Sequence, residues 1–264
     1  MTLHLDIPSA AEYVCIERRC SAPRENSNEI QHSESLCDNL ESDGTASFHF
    51  AQGNIPARPP PGFEDYFGPP PHFQFFDNDA AEEDLRALRD FIKRDVAEES
   101  MQILEKRLFV HIERRHDTLR PVLDRIIQIM DKEGDIEGVV GYSEGALIGA
   151  SLILEEQRRF EELGRPVGIK CAVFLSGWPP FDPKTGKLLL SDGGSELIKI
   201  HTCHVLGAND PFIDGCMALY NICDPDTANI FDHGHGHAVP QGDKIQGELA
   251  EVIREMVAEA QQES

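Results

Sequence analysis

The sequence lacks the features that define several common classes of protein. Its seven cysteines are irregularly spaced and form no CxxC pair, so a disulfide framework is not expected. The first residues contain no basic stretch followed by an apolar core, so no secretory signal is predicted. No apolar run approaches the roughly 18 residues that cross a bilayer. Together these absences predict a cytoplasmic protein with reduced cysteines.

Basic residues are also scarce. The chain has 24 Lys and Arg against 47 Asp and Glu, a formal net charge of −23 at pH 7. Such a surface repels phosphate backbones and anionic lipid, so neither nucleic acid nor a membrane is an expected partner. Hydrophobic residues make up 40% of the 264, which is enough for a large core. We expect a single domain over residues 1–264.

The first part of the chain has few clear signals. Residues 1–49 form an atypical segment that is largely polar, in which Leu3–Ile7 and Tyr13–Ile16 are candidate short strands. The Pro-rich stretch 55–73 is predicted as an extended or turn-rich loop and not as a sheet interior. A polyproline II ligand for a partner domain is the alternative for this stretch. Residues 79–131 have apolar positions at helical spacing and predict helix.

The second half of the chain alternates short apolar runs with helical patterns. The predicted strands are 138–142, 171–177, 201–207 and 229–233. The predicted helices are 146–160 and about 244–260. Such alternation is typical of an α/β fold with a mostly parallel central sheet and helices on both faces.

The motif with the most chemical content is Gly141-Tyr142-Ser143-Glu144-Gly145. It lies between a predicted strand and a predicted helix, which is the context of a GxSxG nucleophile elbow. There the serine hydroxyl is exposed above the sheet, and Ser143 is the candidate nucleophile. The backbone N–H of Glu144 begins the helix and is a candidate oxyanion donor. A structural turn is the alternative reading.

A candidate acid and a candidate base follow two later strands. Asp210 comes directly after the predicted strand 201–207, where functional groups of α/β sheets lie. An ordinary Asp-Pro turn is the other interpretation of this residue. His237 follows the strand 229–233 and can take the proton of a serine hydroxyl. The order Ser143, Asp210, His237 is the chain order of α/β-hydrolases.

Three alternating histidines also suggest a metal site. His233, His235 and His237 lie in one Gly-rich segment, and a metal would need two or three of them plus a carboxylate. A serine hydrolase needs only His237, for which Ser143 and Asp210 are already partners. We therefore expect no metal and no cofactor, and we interpret His233 and His235 as loop residues.

Three segments together resemble the fungal serine hydrolase (FSH) family. They are GDIEGVVGYSEGALIGASL, HVLGANDPF and IFDHGHGHAVP. In that family they read approximately FDGVxGFSQGA, GxxDP and HxxGHxxP. The resemblance covers about residues 50–77 and 118–245. It implies an α/β-hydrolase with Ser143 as nucleophile, Asp210 as acid and His237 as base.

Two departures from the family pattern stand out. The family begins with a strand that ends in a His-Gly motif, whose loop supplies a second oxyanion N–H. The candidate here, residues 13–20, has no His-Gly pair, so the first strand and its loop are expected to be degenerate or missing. Loss of one oxyanion donor lowers turnover by about 10²- to 10³-fold. Residues 79–117 look longer than in the family and suggest a helical insertion or lid.

The resemblance also implies a substrate class. The family includes thioesterase-like hydrolases of polyketide gene clusters, such as the lovastatin-type release thioesterases. The expected activity is that of a serine esterase or thioesterase in fungal secondary metabolism. The expected substrate is a small-molecule ester or an acyl group on a polyketide synthase carrier domain. A catalytically impaired accessory or binding protein and a metal-dependent hydrolase are the alternatives.

Overall fold

The computed structural model describes eight strands and five helices within part of the chain. The described residues are 11–16, 31–57, 72–75, 116–134, 136–190 and 197–262. The strands are β1 (Ala11–Ile16), β2 (Ala46–Ala51), β3 (Ile55–Ala57), β4 (His72–Gln74), β5 (Ile136–Tyr142), β6 (Cys171–Leu175), β7 (His201–Leu206) and β8 (Ala228–Asp232). The helices are α1 (Gln31–Ser42), α2 (His116–Glu133), α3 (Glu144–Leu163), α4 (Ile213–Tyr220) and α5 (Asp243–Gln262).

Six strands form one parallel sheet in the order β2-β1-β5-β6-β7-β8. All residues of β6 and β7 are buried, as expected for central strands that are covered on both faces. Because all six strands are parallel, their carboxyl ends lie along one edge. Functional groups of open α/β sheets collect beyond this edge, where the strand order reverses. Here the order reverses between β1 and β5.

Helices cover both faces of the sheet. On one face α2 and α3 contribute to a core that includes Leu123, Ile126, Ile148 and Leu152. On the other face α5 packs against β6 and β7, and α1 packs against β2 and α5. No helix among the described residues is both long enough and apolar enough to cross a membrane. The α/β fold with helices on both faces is therefore confirmed.

The predicted strands and helices of the second half are present with small shifts at their ends. One such shift is in β6, which was predicted over 171–177 and ends at Leu175. The cause is Ser176, whose φ of 46° turns the chain out of the sheet. Helix α4 was not predicted. Its eight residues contain too short an apolar pattern to indicate a helix.

The N-terminal part contains more structure than its polar sequence predicts. Strand β1 pairs with both β2 and β5, so a first strand is present, although the loop that follows it lies outside the described residues. Helix α1 was not predicted, because few apolar residues mark it. Leu36 and Leu40 are nevertheless buried, and Arg254 of α5 donates to Asn39 of α1 at 2.6 Å.

The Pro-rich stretch begins and ends in a short antiparallel ladder of β3 and β4, apart from the main sheet. This agrees with its exclusion from the sheet interior. Residues 58–71 between these strands lie outside the described residues, as do 79–115 of the predicted helical insertion. The single domain and the lid therefore stay predictions.

A buried carboxylate joins α2 to α3. The Glu155 side chain is fully buried and accepts hydrogen bonds from Arg120, Arg158 and Arg159 at 2.6 to 2.7 Å. Burial alone would raise the pKa of Glu155, but the three guanidinium groups lower it to about 2. Arg120 also donates to the Pro183 carbonyl at 2.7 Å. The cluster thus fixes the segment that follows β6.

Replacing Glu155 with glutamine should destabilise the protein. The three guanidinium groups, which are partly exposed, would lose their shared negative charge. Breaking a fully buried ion pair costs about 3–5 kcal/mol. We expect the lower end of this range, because Arg159 keeps Asp124 as a partner. Urea unfolding of E155Q beside wild type measures the loss. The control E161Q removes an exposed carboxylate of the same helix, and an equal loss in both variants would contradict a special role of Glu155.

The stabilisation by Glu155 should depend on pH. The pKa of Glu155 is lowered to about 2 in the folded protein from an ordinary value of 4.5, so ionisation of this carboxyl stabilises the folded state relative to the unfolded state. The contribution is therefore complete above pH 4.5 and is lost as the pH falls toward 2. The difference in unfolding free energy between wild type and E155Q should shrink from pH 5 to pH 3. A constant difference over this range would show that the charge of Glu155 is not the cause.

Candidate active site

Ser143 is the single residue between β5 and α3. Its backbone has φ 54° and ψ −110°, a left-handed conformation that is unusual for a residue with a side chain. The Ser143 N–H donates to the Leu175 carbonyl of β6 at 2.9 Å, and its carbonyl accepts from Ala146 of α3 at 3.2 Å. Strand and helix therefore fix the serine from both sides, at the carboxyl edge of the sheet.

The first glycine of the GxSxG motif is required by this sharp turn. A Cβ at Gly141 would lie 2.5 Å from the backbone of Gly145 and of Ala146. These backbone atoms cannot move without displacing the first turn of α3. Glycine at position 141 therefore allows β5 and α3 to lie close together. The nucleophile elbow that the motif predicts is present.

Asp210 lies beyond the carboxyl end of β7. Its side chain is fully buried, and two groups satisfy its oxygens. Oδ1 accepts the Phe212 N–H at 2.8 Å, and Oδ2 lies 2.9 Å from Nδ1 of His237. The Asp210 N–H donates to the Gly207 carbonyl at 2.9 Å, which closes the turn after the strand. Asp210 is thus part of a turn and also a partner of His237.

His237 links the other two predicted residues. Its Nδ1 faces the Asp210 carboxylate at 2.9 Å, and its Nε2 lies 3.1 Å from the Ser143 hydroxyl oxygen. An ionised carboxylate only accepts hydrogen bonds, so Nδ1 carries the proton and Nε2 presents a lone pair to the hydroxyl. The structure therefore brings together all three side chains. Their arrangement allows a proton to pass from Ser143 to His237.

The loop that carries His237 is tied to the loop that carries Asp210. The Asp232 carboxylate accepts the N–H groups of Ala208 and Gly234 at 2.9 and 2.7 Å. Asn209 donates through its side chain to the Gly234 carbonyl at 2.8 Å and through its backbone to the His235 carbonyl at 3.0 Å. Three of these bonds join the two loops, and the bond between Asp232 and Gly234 lies within the loop that carries His237.

The other two histidines of the motif have different surroundings. His233 is buried, and neither of its ring nitrogens has a hydrogen-bond partner in the described part of the chain. Burial and the nearby His235 lower the pKa of His233, so this ring stays neutral at physiological pH. Among the described residues, no group of three or more His, Cys, Asp or Glu side chains could hold a metal ion.

Glu144 contributes both its backbone and its side chain to the elbow. Its N–H is the first of α3 and points out of the helix N-terminus. Its carboxylate accepts the Phe75 N–H at 3.2 Å, which ties the end of β4 to the elbow. A second oxyanion donor stays unassigned, because residues 17–30, where the loop after β1 lies, are outside the described residues.

Three aromatic residues near His237 were missed by the sequence reasoning. Phe212 meets the His237 ring edge-on with centroids 5.2 Å apart, and Trp178 lies 5.6 Å from Phe212. The Tyr142 hydroxyl donates to the His237 carbonyl at 3.2 Å. One signal for Trp178 existed in the sequence, namely its place just after a predicted strand, where functional loops of α/β proteins lie.

Comparisons with known proteins show the family to which the chain belongs. The family model described as "Serine hydrolase (FSH1)" matches residues 26–249 of the chain. The chain is 26% identical over 221 residues to the hydrolase phiM of Talaromyces stipitatus, a match that covers 81% of this chain and 76% of the relative. It is also 26% identical over 125 residues to the esterase FPY3 of Fusarium mangiferae, covering 45% of this chain and 55% of that one.

The fold also matches a solved structure. The crystal structure of a variant of Arabidopsis thaliana SOBER1 superposes with a TM-score of 0.51 at 14% sequence identity, covering 94% of this chain and 100% of that one. At this level of identity the likeness concerns the fold alone. The family match spans most of the chain. The chain belongs to the FSH1 serine hydrolase family and has the α/β-hydrolase fold.

Proposed function

We propose that this protein is an esterase or thioesterase in which Ser143, His237 and Asp210 act as nucleophile, base and acid. One observation carries the proposal, namely the continuous hydrogen-bond chain from the Ser143 hydroxyl through His237 to Asp210, with distances of 3.1 and 2.9 Å. Both distances lie within the reach of direct proton transfer. The names of the fungal relatives, a hydrolase and an esterase, support the same reaction class.

The reaction follows from the roles of the three side chains. His237 removes the hydroxyl proton as the Ser143 oxygen attacks the carbonyl carbon of the substrate. The buried Asp210 carboxylate holds the imidazole in the required tautomer and stabilises the imidazolium that forms. His237 then protonates the departing alcohol or thiol, which leaves an acyl group on Ser143. Water, deprotonated by the same histidine, attacks this acyl-enzyme and releases the acid.

The oxyanion of each tetrahedral intermediate needs hydrogen-bond donors. The Glu144 N–H is our proposed donor, because it stands at the positive end of the α3 dipole and directly follows the nucleophile. The tie between the Glu144 carboxylate and Phe75 supports a fixed orientation of this first turn. In the proposed mechanism the second donor comes from the loop after β1.

We propose an acyl ester or thioester of fungal secondary metabolism as the substrate, on a small molecule or on a polyketide synthase carrier domain. This finer assignment rests on the family resemblance, and it implies that the protein acts in the cytoplasm. A catalytically impaired accessory protein remains the second candidate, because residues 13–20 have no His-Gly pair. The two candidates differ in whether the Ser143 hydroxyl is activated.

Labelling with a fluorophosphonate should separate these two candidates. The reagent reacts only with an activated serine, so wild type should be labelled, and S143A and H237A should lose at least 90% of the signal. H235A is the matched control, because it removes a neighbouring imidazole and keeps the backbone carbonyl that Asn209 binds. A folded wild type that stays unlabelled would exclude the hydrolase. An equal loss of labelling in H235A and H237A would contradict the assignment of His237 as the base.

The variant D210N should lower kcat strongly and leave the fold intact. The amide can donate to Nδ1, which would place the proton on Nε2 and leave no lone pair for the Ser143 hydroxyl. We expect a decrease of about 10³- to 10⁴-fold in kcat. Hydrolysis of p-nitrophenyl butyrate measures it, with D214N as control, because Asp214 is an exposed carboxylate on α4. Equal kcat values for D210N and D214N would refute the role of Asp210.

A further inference from the structure

Aromatic rings are concentrated around His237 to a degree that the composition does not explain. Only 7% of the residues are Phe, Trp or Tyr, but Tyr142, Phe212 and Trp178 form a connected group with the His237 ring. The Tyr142 and His237 centroids lie 5.5 Å apart. Tyr142, Trp178 and His237 are each partly exposed, and Phe212 is buried beneath them. The base therefore borders an aromatic surface that solvent can reach.

Trp178 has a fixed position in this group. It lies three residues after β6, the strand next to the one that carries the elbow. A Cβ at Gly215 of α4 would lie 3.2 Å from the indole, so the ring packs closely on the helix at this point. Farther along the segment, the Phe181 N–H donates to the Ser151 hydroxyl at 2.9 Å. The Pro183 carbonyl accepts from the Arg120 guanidinium at 2.7 Å. These contacts on α3 and α2 hold the segment and orient the ring.

We propose that Trp178 is a specificity-determining residue that binds a planar aromatic group of the substrate, on its acyl or its alcohol side. The inference rests on the proposed hydrolase function, because it concerns the substrate of the same site. The partly exposed indole is separated from the base by the Phe212 ring alone, and it offers a surface on which another ring can stack. Ring stacking adds to simple apolar burial, and its usual strength corresponds to about 3- to 10-fold in affinity.

Matched esters test this preference. Ethyl 3-phenylpropanoate and ethyl 3-cyclohexylpropanoate have the same reacting carbonyl and differ in whether the ring is aromatic. Wild type should have a kcat/KM about 3- to 10-fold higher for the phenyl ester, measured by proton release. The pair 2-phenylethyl acetate and 2-cyclohexylethyl acetate moves the ring to the alcohol side. A preference for phenyl in either pair supports the inference and identifies the side, and none in both overturns it.

Variants separate stacking from a structural role. W178L should reduce the phenyl-to-cyclohexyl ratio to about one, because leucine keeps an apolar surface without a π-system. W178F should keep part of the phenyl-to-cyclohexyl ratio, because phenylalanine retains an aromatic ring. It also keeps the test valid if W178L does not fold. The control F160L removes an aromatic ring that is 56% exposed on α3 and should keep the wild-type ratio. Equal loss of activity on both esters in W178L and W178F, at an unchanged ratio, would show that Trp178 only supports the fold.

Fluorescence provides a measurement that does not need turnover. Trp178 is the only tryptophan in the chain, so its emission reports on this position alone. In S143A, the phenyl ester should change the emission saturably and at a lower concentration than the cyclohexyl ester. Absence of any saturable change would overturn the inference even if wild type hydrolyses both esters. Fluorophosphonate labelling decides the proposed function, and if wild type hydrolyses neither ester, this titration still decides whether Trp178 binds the ring.

Discussion

The left-handed backbone at Ser143 is the constraint on which the geometry of the site depends. Holding a non-glycine residue at φ 54° costs free energy, of order 1–3 kcal/mol. The structure offsets this cost through the burial of the strand β5 before Ser143 and of the helix α3 after it. Strand β5 lies between β1 and β6, and most of the first three turns of α3 are buried against the sheet. The conformation persists because relaxing it would remove α3 from its packed position.

The acid and the base depend on the same sheet. Asp210 follows β7, His237 follows β8, and the elbow follows β5, so parallel pairing brings three distant segments to one edge. Short loops then complete the arrangement. The Asp210 turn is closed on Gly207, and the segment 232–235 is bonded to residues 208 and 209. Precision in the site thus comes from strand pairing first and from loop contacts second.

The sequence predicted those parts of the structure whose signals are local. Buried apolar runs marked the central strands, and the elbow has a motif that its sharp turn requires. The contacts that were missed are formed between residues far apart in the chain. Helix α1 depends on α5 through Arg254, and Glu155 depends on Arg120 of another helix. The ring of Trp178 meets Phe212 only after β6 and β7 pair. No periodicity or spacing in the sequence records such pairings.

Strand β6 contributes none of the three proposed catalytic residues, and yet it sets the distance between them. Its last residue accepts the N–H of Ser143 on one side, and the next residue donates to Val205 of β7 on the other. The nucleophile and the acid–base pair are thus registered against each other through a strand that neither belongs to. A slip of one residue along β6 would shift the two halves by about 3.3 Å. That shift is larger than the 3.1 Å between Nε2 of His237 and the Ser143 hydroxyl oxygen. The register of β6 therefore decides whether these two groups can form their hydrogen bond.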